Sequence, residues 1–294
     1  MSEKKQLIYD CFMFYNELNM LELKLTEENS VVDKFVLVES CETYSGKPKR
    51  YFFDEHKDRF SQFSAKIIHV KLEPQTRFKR YPFKKCGKNW AREYWQRDQI
   101  ARGLADANYE DLIIISDVDE IISSSRLGNI VASFRDGCIG VFEMPLFQFS
   151  VNREWVFRDR RLPQYRSIGP RMVTFKDYCG AQRLRKVKKI YPNWLKKDSM
   201  LRPVFKMIGY IKYRVMNELQ YFEDTGWHFS SMGDWDFFKN KVDSFAHEDW
   251  KNIPQYTNHE VFEELAASDI QTRPYSLERL PRFILDNRSL FVFR

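Results

Sequence analysis

Four consecutive aliphatic residues, Leu112-Ile-Ile-Ile115, run directly into Ser116-Asp-Val-Asp-Glu120, and no other stretch restricts the fold so strongly. A run this short and this apolar suits a strand covered on both faces, as in a parallel sheet. The three carboxylates that follow cannot serve packing, because an ionised carboxylate taken from water is costly unless paired or metal-bound. Asp117 and Asp119 are two residues apart, so in extended backbone they face one side. Hard oxygen donors in that arrangement suit magnesium or manganese carrying a phosphorylated substrate. The alternative is an acidic cap on a following helix, favoured by the helix dipole.

The first half supplies the rest of such a sheet. Residues 7–14 read as a strand, and Glu17 to Glu27 as a helix whose Leu18, Leu21 and Leu25 recur at spacings of three and four. Residues 35–38 and 66–70 read as strands, and 89–107 as helical. Strands alternating with helices predict an α/β fold, a mostly parallel sheet flanked by helices, whose ligands bind beyond the carboxyl ends of the strands. The second half is less regular, with strands predicted at 138–144, 146–149 and 171–175 and a helix at 236–245. Without an internal repeat or a Gly/Ser/Pro-rich linker, the reading is one domain over 1–294. It divides into a nucleotide-binding half to 122 and an irregular, acceptor-side half from 123.

The net charge of +7 points to an anionic partner, and most of it lies in one block. Between Arg153 and Lys189 there are twelve Lys or Arg against three Asp or Glu. Arg158, Arg160, Arg161, Arg166 and Arg171 interleave with Trp155, Phe157 and Tyr165, which suits a binding surface; a solvated face is the plainer reading. No nucleic-acid-binding signature accompanies the block. The five cysteines, Cys11, Cys41, Cys86, Cys138 and Cys179, contain no CxxC pair, so free thiols and a reducing compartment are expected. No signal-peptide core or membrane-length apolar run is present, and the expectation is a soluble, cytoplasmic protein able to dock on a membrane face.

Two further segments carry chemistry. Trp90, Tyr94, Arg97, Ala101 and Leu104 share one helical stripe, so Arg97 lies among apolar residues and needs an anion. That anion is an internal carboxylate, with Asp98 beside it as one partner, or a bound phosphate, or the acidic site itself. In Tyr221-Phe-Glu-Asp-Thr-Gly-Trp-His-Phe-Ser230, Glu223 and Asp224 precede a glycine that permits a close approach, a tryptophan on which a sugar ring can stack, and His228, able to complete a metal shell. Two enzyme classes use a hydrophobic strand followed by DxD. In haloacid dehalogenase-type phosphatases the first Asp is a nucleophile; in nucleotide-sugar glycosyltransferases the pair holds the metal that neutralises the leaving diphosphate. The phosphatase motif sits on a first strand, however, and Asp234-Trp-Asp236 is a poor substitute for a late Asp-Asp pair.

The order of these blocks resembles glycosyltransferase family 17, whose animal members add a bisecting β1,4-linked N-acetylglucosamine to the core mannose of N-glycans. The matching blocks are residues 10–22, 32–40 and 43–49, Gln96-Arg-Asp98, residues 113–121, Gly226-Trp-His-Phe-Ser230 and Ser244-Phe-Ala-His-Glu248. The resemblance implies a GT-A type, Rossmann-like fold and metal-dependent, inverting transfer from a nucleotide-sugar, UDP-GlcNAc, to a glycan hydroxyl. It places Asp117, Asp119 and His228 on Mn2+ or Mg2+, Asp10 and Glu39 near the nucleoside, and Arg97 near the diphosphate or the acidic motif, with Asp98 among the donor-binding residues. Lys241 and His247 fall around the donor and acceptor cleft. Inversion requires a base for the acceptor hydroxyl, expected at Asp224 or Glu223, with Glu143 in reserve. Where the family carries Pro after Asp-Glu-Ile this chain has Ile122, a change that alters the turn rather than the metal ligands. The basic block is expected to face an anionic or lipid-linked microbial or viral glycan, not nucleic acid.

Overall fold

The structure is a computed structural model that describes residues 5–75, 88–156, 167–187, 217–233, 257–267 and 272–294, with isolated positions at 200–201, 203–204, 207, 235–236 and 238–239. In chain order its strands are β1 (Ile8–Phe14), β2 (Lys34–Ser40), β3 (Ile67–Leu72), β4 (Leu112–Ile115), β5 (Glu120–Ile122), β6 (Cys138–Met144), β7 (Leu146–Phe149), β8 (Arg153–Trp155), β9 (Ser167–Thr174), β10 (Glu218–Phe222), β11 (Gly226–Met232) and β12 (Thr272–Pro274). The helices are α1 (Leu18–Glu28), α2 (Phe52–Glu55), α3 (Lys88–Asp98), α4 (Ser124–Ser133), α5 (Ala181–Lys186), α6 (His259–Ala267) and α7 (Arg282–Asp286). None of the described helices is long and apolar enough to cross a membrane.

Seven strands form the main sheet in the order β10-β6-β9-β4-β1-β2-β3. The pairs β1–β2, β2–β3, β1–β4 and β6–β10 are parallel, while β9 runs antiparallel to both β4 and β6. All seven residues of β1 and all four of β4 are buried, as their unbroken apolar runs require. Alternation sorts them onto two faces. Phe12, Phe14, Phe35, Leu37 and Ile114 pack against Leu21 and Leu25 of α1 and Leu127 of α4. Cys11, Val36, Val38, Ile113 and Ile115 pack on the opposite face against Ile100, Leu104 and Leu184.

The predicted helix at 89–107 is α3 followed by a 3-10 turn over Gln99–Leu104, which presses Gly103 against Val36. The predicted strand at 171–175 is the end of the longer β9. The predicted helix at 236–245 lies largely outside the described residues.

A second sheet, β12-β8-β7-β11-β5, starts from the acidic motif itself. Its strand β5 begins at Glu120 and packs through Ile121 with Phe147, Phe229, Ile284 and the other side of α1, Met20 and Leu23. Helix α1 is therefore the wedge shared by both cores, and the Asp117–Glu120 turn lies where one sheet hands the chain to the other.

Arg171 is not part of a binding surface. It is 1% exposed on β9, and its guanidinium donates to the carbonyls of Gly169, Pro170 and Val187. Arg158, Arg160, Arg161 and Arg166 lie outside the described residues.

Candidate functional site

Two motifs more than a hundred residues apart are zipped together. Strands β5 and β11 pair antiparallel in the register Ile122↔Gly226, Ile121↔Trp227 and Glu120↔His228. Phe229 N donates to Asp119 O at 2.8 Å, and Ser123 N to Thr225 O at 2.9 Å. Gly226 makes the approach possible, since a Cβ there would stand 2.0 Å from Ile121 O and 2.9 Å from Ile122 Cα. The ladder places His228 beside the acidic turn, with Nε2 3.7 Å from an Asp119 oxygen. Its Nδ1 hydrogen-bonds with the Ser167 hydroxyl at 2.9 Å, an outer contact that fixes the ring's orientation.

A cavity of about 310 Å³ opens beside this turn at the carboxyl edge of β1, β2 and β4. Asp117, Asp119, His228, Arg97 and Gln96 line it, together with Tyr15, Tyr44, Trp90 and Lys49. Helix α3 supplies Arg97, whose Nη1 pairs with Glu93 at 3.0 Å and donates to Gln182 at 2.6 Å, while Nη2 reaches Asp117 at 3.3 Å. The buried arginine of the helical stripe thus takes Asp117 and Glu93 as its anions, not Asp98, which accepts from the Gln182 backbone instead. Gln96 is 6% exposed, and its Nε2 has no hydrogen-bond partner among the described residues.

Arg185 of α5 is the residue that sequence reasoning missed. It donates to both oxygens of Glu120, at 2.8 and 2.9 Å, to Asp117 at 2.6 Å and to Gly169 O at 2.7 Å. Burial works against the charge on Asp117, but the Arg185 and Arg97 guanidiniums prevail and hold its carboxyl well below the usual carboxylate range. The arginines respond in kind: burial opposes their charge and the carboxylates outweigh it, so both pKa values are raised. Lys49 behaves differently, its ammonium pKa lowered by burial despite the Glu39 carboxylate at 3.0 Å. Burial, followed by Glu93, raises the Tyr44 hydroxyl and keeps it protonated.

Several expected site residues do other work. Asp10 is fully buried below the cavity, 2.7 Å from Lys24 Nζ, and accepts from Ser116 Oγ at 2.7 Å; it cannot touch a nucleoside. Glu39 is equally buried, accepting from the Phe52 and Phe53 backbones at 2.6 and 3.3 Å and so capping α2, with His69 at 3.1 Å. Asp224 sits at φ 55° in the turn before β11, where it pairs with Arg279 at 3.3 Å and Arg126 at 3.6 Å.

Neither Asp224, the exposed Glu223, nor Glu143 on β6 lines the cavity. Trp227 is no sugar platform either: it packs in the second core, and its Nε1 donates to Arg279 O at 3.0 Å. Lys241 and His247 lie outside the described residues. Asp117, Asp119 and His228 do share the cavity, yet no three His, Cys, Asp or Glu side chains among the described residues form a metal cage as they stand. The reason is physical: Asp117 is turned onto two guanidiniums.

A doubly covered, mostly parallel sheet thus carries an acidic turn, two arginines and an aromatic wall at its carboxyl edge, where ligands of such sheets bind. Residues 1–145, which contain β1 to β6, match the model of glycosyltransferase family 17.

No curated protein matches it. Solved structures similar to it include a 4-diphosphocytidyl-2C-methyl-D-erythritol synthase, 14% identical over 74% of this chain and 90% of that one, with TM-score 0.40. Glucosyl-3-phosphoglycerate synthase from Mycobacterium tuberculosis, solved with Mn2+, uridine-diphosphate and phosphoglyceric acid, is 11% identical over 95% and 91% at TM-score 0.38. S. aureus TarS 1–349 is 13% identical over 84% and 66% at TM-score 0.36.

Proposed function

We propose that the chain is a metal-assisted, inverting glycosyltransferase that takes a sugar from a nucleotide-sugar, UDP-GlcNAc, and attaches it to a glycan hydroxyl. The observation that carries this reading is the cavity itself. Acid, histidine and arginine side chains line it, suited to a diphosphate, and so do three aromatic rings, suited to a nucleoside. The choice of N-acetylglucosamine follows the resemblance to family 17, whose animal members transfer that sugar.

The donor set fits one divalent ion, Mn2+ or Mg2+. Asp119 and His228 face each other, and the Ser167 contact orients the ring. The surrounding charge agrees. Asp117, Asp119, Glu120 and Glu93 set four carboxylates against the two guanidiniums of Arg97 and Arg185, an excess matched by one dication. Asp119 and His228 would hold the ion, with Asp117 next to them. When bound it neutralises charge that builds on the departing diphosphate.

The protein's own groups supply the rest. The unpartnered Gln96 Nε2 donates to a donor oxygen, because a buried donor left without a partner is otherwise costly. Arg97, anchored by Glu93 and Gln182, presents its guanidinium at the phosphate end. Tyr15, braced by the Lys49 ammonium 5.3 Å from its ring centroid, and Trp90 provide the flat wall for the base.

Thermal melting tests this directly. UDP with Mn2+ should raise the midpoint through mass action, and UDP-GlcNAc should release UDP when acceptor is present. Asp119→Asn should remove the manganese dependence of the shift. A wild-type protein whose melting responds to no nucleotide, with or without Mn2+, would sink the proposal.

A further inference from the structure

A second cavity, of about 400 Å³, adjoins the first, and the two share Glu17 and Asp119 in their walls. Its other walls come from the start of α1, from Phe229 and Met232 on β11, and from the carboxyl-terminal segment Leu290–Val292. That segment is built in. Val151 N donates to Val292 O at 3.0 Å, and Asn152 and Arg294 exchange two hydrogen bonds, at 2.7 and 3.0 Å.

The chemistry of the second cavity is that of a neutral sugar. Its cation, Arg59, is already matched by Glu22 at 2.5 Å and donates to Asn19 Oδ1 at 2.8 Å, while Asn19 Nδ2 donates to Leu290 O at 3.0 Å. Among the described residues, the remaining ionisable lining groups are the carboxylates Glu17 and Asp119, which would repel an anionic ligand. Met232 and Phe291 offer apolar surface to the C–H face of a ring.

We infer that this second cavity receives the acceptor as an uncharged sugar ring and that Glu17, on the wall common to both cavities, is the catalytic base. The inference rests on the glycosyl transfer proposed above. Among the described residues five carboxylates line the donor cavity, namely Glu17, Glu42, Glu93, Asp117 and Asp119, and of these Glu17 and Asp119 also line the second cavity. Asp119 faces His228 and belongs to the metal, which leaves Glu17. Its Oε2 accepts from the backbone N–H of Tyr15 at 3.3 Å and of Asn16 at 3.1 Å, so the carboxylate is held on the wall. In the step, the acceptor hydroxyl gives its proton to Glu17 and its oxygen forms a bond to the anomeric carbon. The bond from that carbon to the diphosphate oxygen breaks, and its electron pair leaves with the diphosphate. The acceptor is thereby assigned to a neutral surface rather than to the basic block between Arg153 and Lys189.

The test uses the full chain, UDP-GlcNAc as donor, and a panel of neutral methyl glycosides and disaccharides beside their sulfated counterparts. Val292→Trp fills the second cavity, and Leu290→Trp replaces it should the first variant not fold. The filled variant should raise the acceptor KM by about tenfold or more while the thermal shift from UDP stays as in the wild type. Glu17→Gln keeps an acceptor oxygen for the two backbone donors. It should lower kcat by about a hundredfold or more and remove the acidic limb of the pH profile, again with the UDP shift retained.

Acceptor KM values below that threshold in a folded, filled variant would overturn the subsite, as would sulfated sugars outperforming neutral ones. A Glu17→Gln enzyme that keeps the acidic limb would overturn the base. Failure of the donor reading looks different: UDP then produces no shift in the wild-type protein.

Discussion

Replacing Arg185 with methionine should show whether the acidic turn is held as described. The substitution keeps a side-chain stem but removes the guanidinium that makes three contacts with Glu120 and Asp117 and one with Gly169 O. Glu120 is 1% exposed, so among the described residues its carboxylate would be left buried with only the Asp117 N–H at 2.9 Å. Removing one partner of a buried ion pair costs about 3–5 kcal/mol. Asp117 keeps Arg97 and has a side chain 31% exposed, which places the expected loss near the lower end, about 3 kcal/mol. Urea unfolding at pH 7 gives this number from the change in midpoint at unchanged slope.

The pH dependence supplies a second check on Arg185→Met. Asp117 is depressed in the folded protein, so its pairing stabilises above the unfolded carboxylate pKa, and that stability is lost as pH falls toward the folded value. The gap between wild type and variant should therefore shrink by roughly 1 kcal/mol from pH 7 to pH 3. Added Mn2+ should narrow the gap at pH 7, since it brings positive charge back to the turn. A loss under about 1 kcal/mol at pH 7 would refute the buried-pair reasoning. So would a gap that ignores pH.

Other perturbations probe the frame. Gly226→Ala would drive a Cβ into Ile121 O and should break the β5–β11 ladder; abolished nucleotide response together with a melting midpoint lowered by several degrees would show it. Lys24→Met leaves Asp10 and Glu28 buried without their cation and should cost about 3–5 kcal/mol in urea unfolding. Glu28→Gln should do the reverse at high pH. Burial raises the Glu28 carboxyl well above its ordinary value against the pull of Lys24, so the wild type must take up a proton to fold once pH exceeds about 4.3. The glutamine variant escapes that, and its stability relative to wild type should grow from pH 5 to pH 8; equal differences at both pH values would contradict it.

The sheet was legible because its strands are almost unbroken apolar runs. The predicted strands 112–115, 138–144 and 146–149 coincide with β4, β6 and β7. Residue types alone led from the acidic turn to His228 and Arg97, and the structure brings all of them to one cavity.

What failed were inferences from sequence neighbourhood. Asp10 and Glu39 lie on buried strands where ligands are often bound, but each already has cations and donors inside the protein. The clue was Lys24 and Glu28, four apart and beside Leu21 and Leu25, where ionised groups need an internal partner. Asp224 and Glu223 adjoin His228 in sequence, yet the turn before β11 sends Asp224 toward Arg126 and Arg279. Arg185 was hidden within a charge block, because composition gives no direction to a side chain. Glu17 was legible only as the start of α1, which gives its side chain no direction, and Tyr15 and Tyr44 sit in connections whose path no periodicity specifies.

The buried cluster under the site has a positional role. Lys24 Nζ meets Asp10 at 2.7 Å and Glu28 at 3.1 Å and donates to Glu120 O at 2.8 Å, while Ile122 N donates to Glu28 at 2.8 Å and Ser116 Oγ to Asp10 at 2.7 Å. With Glu28 protonated, Lys24 and Asp10 balance, and the group carries no net charge. Such clusters add little net stability over an apolar core of the same volume. This one joins β1, α1, the exit of β4 and β5 through bonds with direction, which apolar packing among those elements would not provide. The carboxylates of the acidic turn are thereby fixed above it, with Asp117 toward the arginines and Asp119 toward His228. A loosened floor would let the turn rotate by one residue and exchange those partners. The Lys24→Met variant should therefore lose manganese-dependent nucleotide binding even at temperatures where it remains folded, and retention of that binding would reduce the cluster to a packing feature.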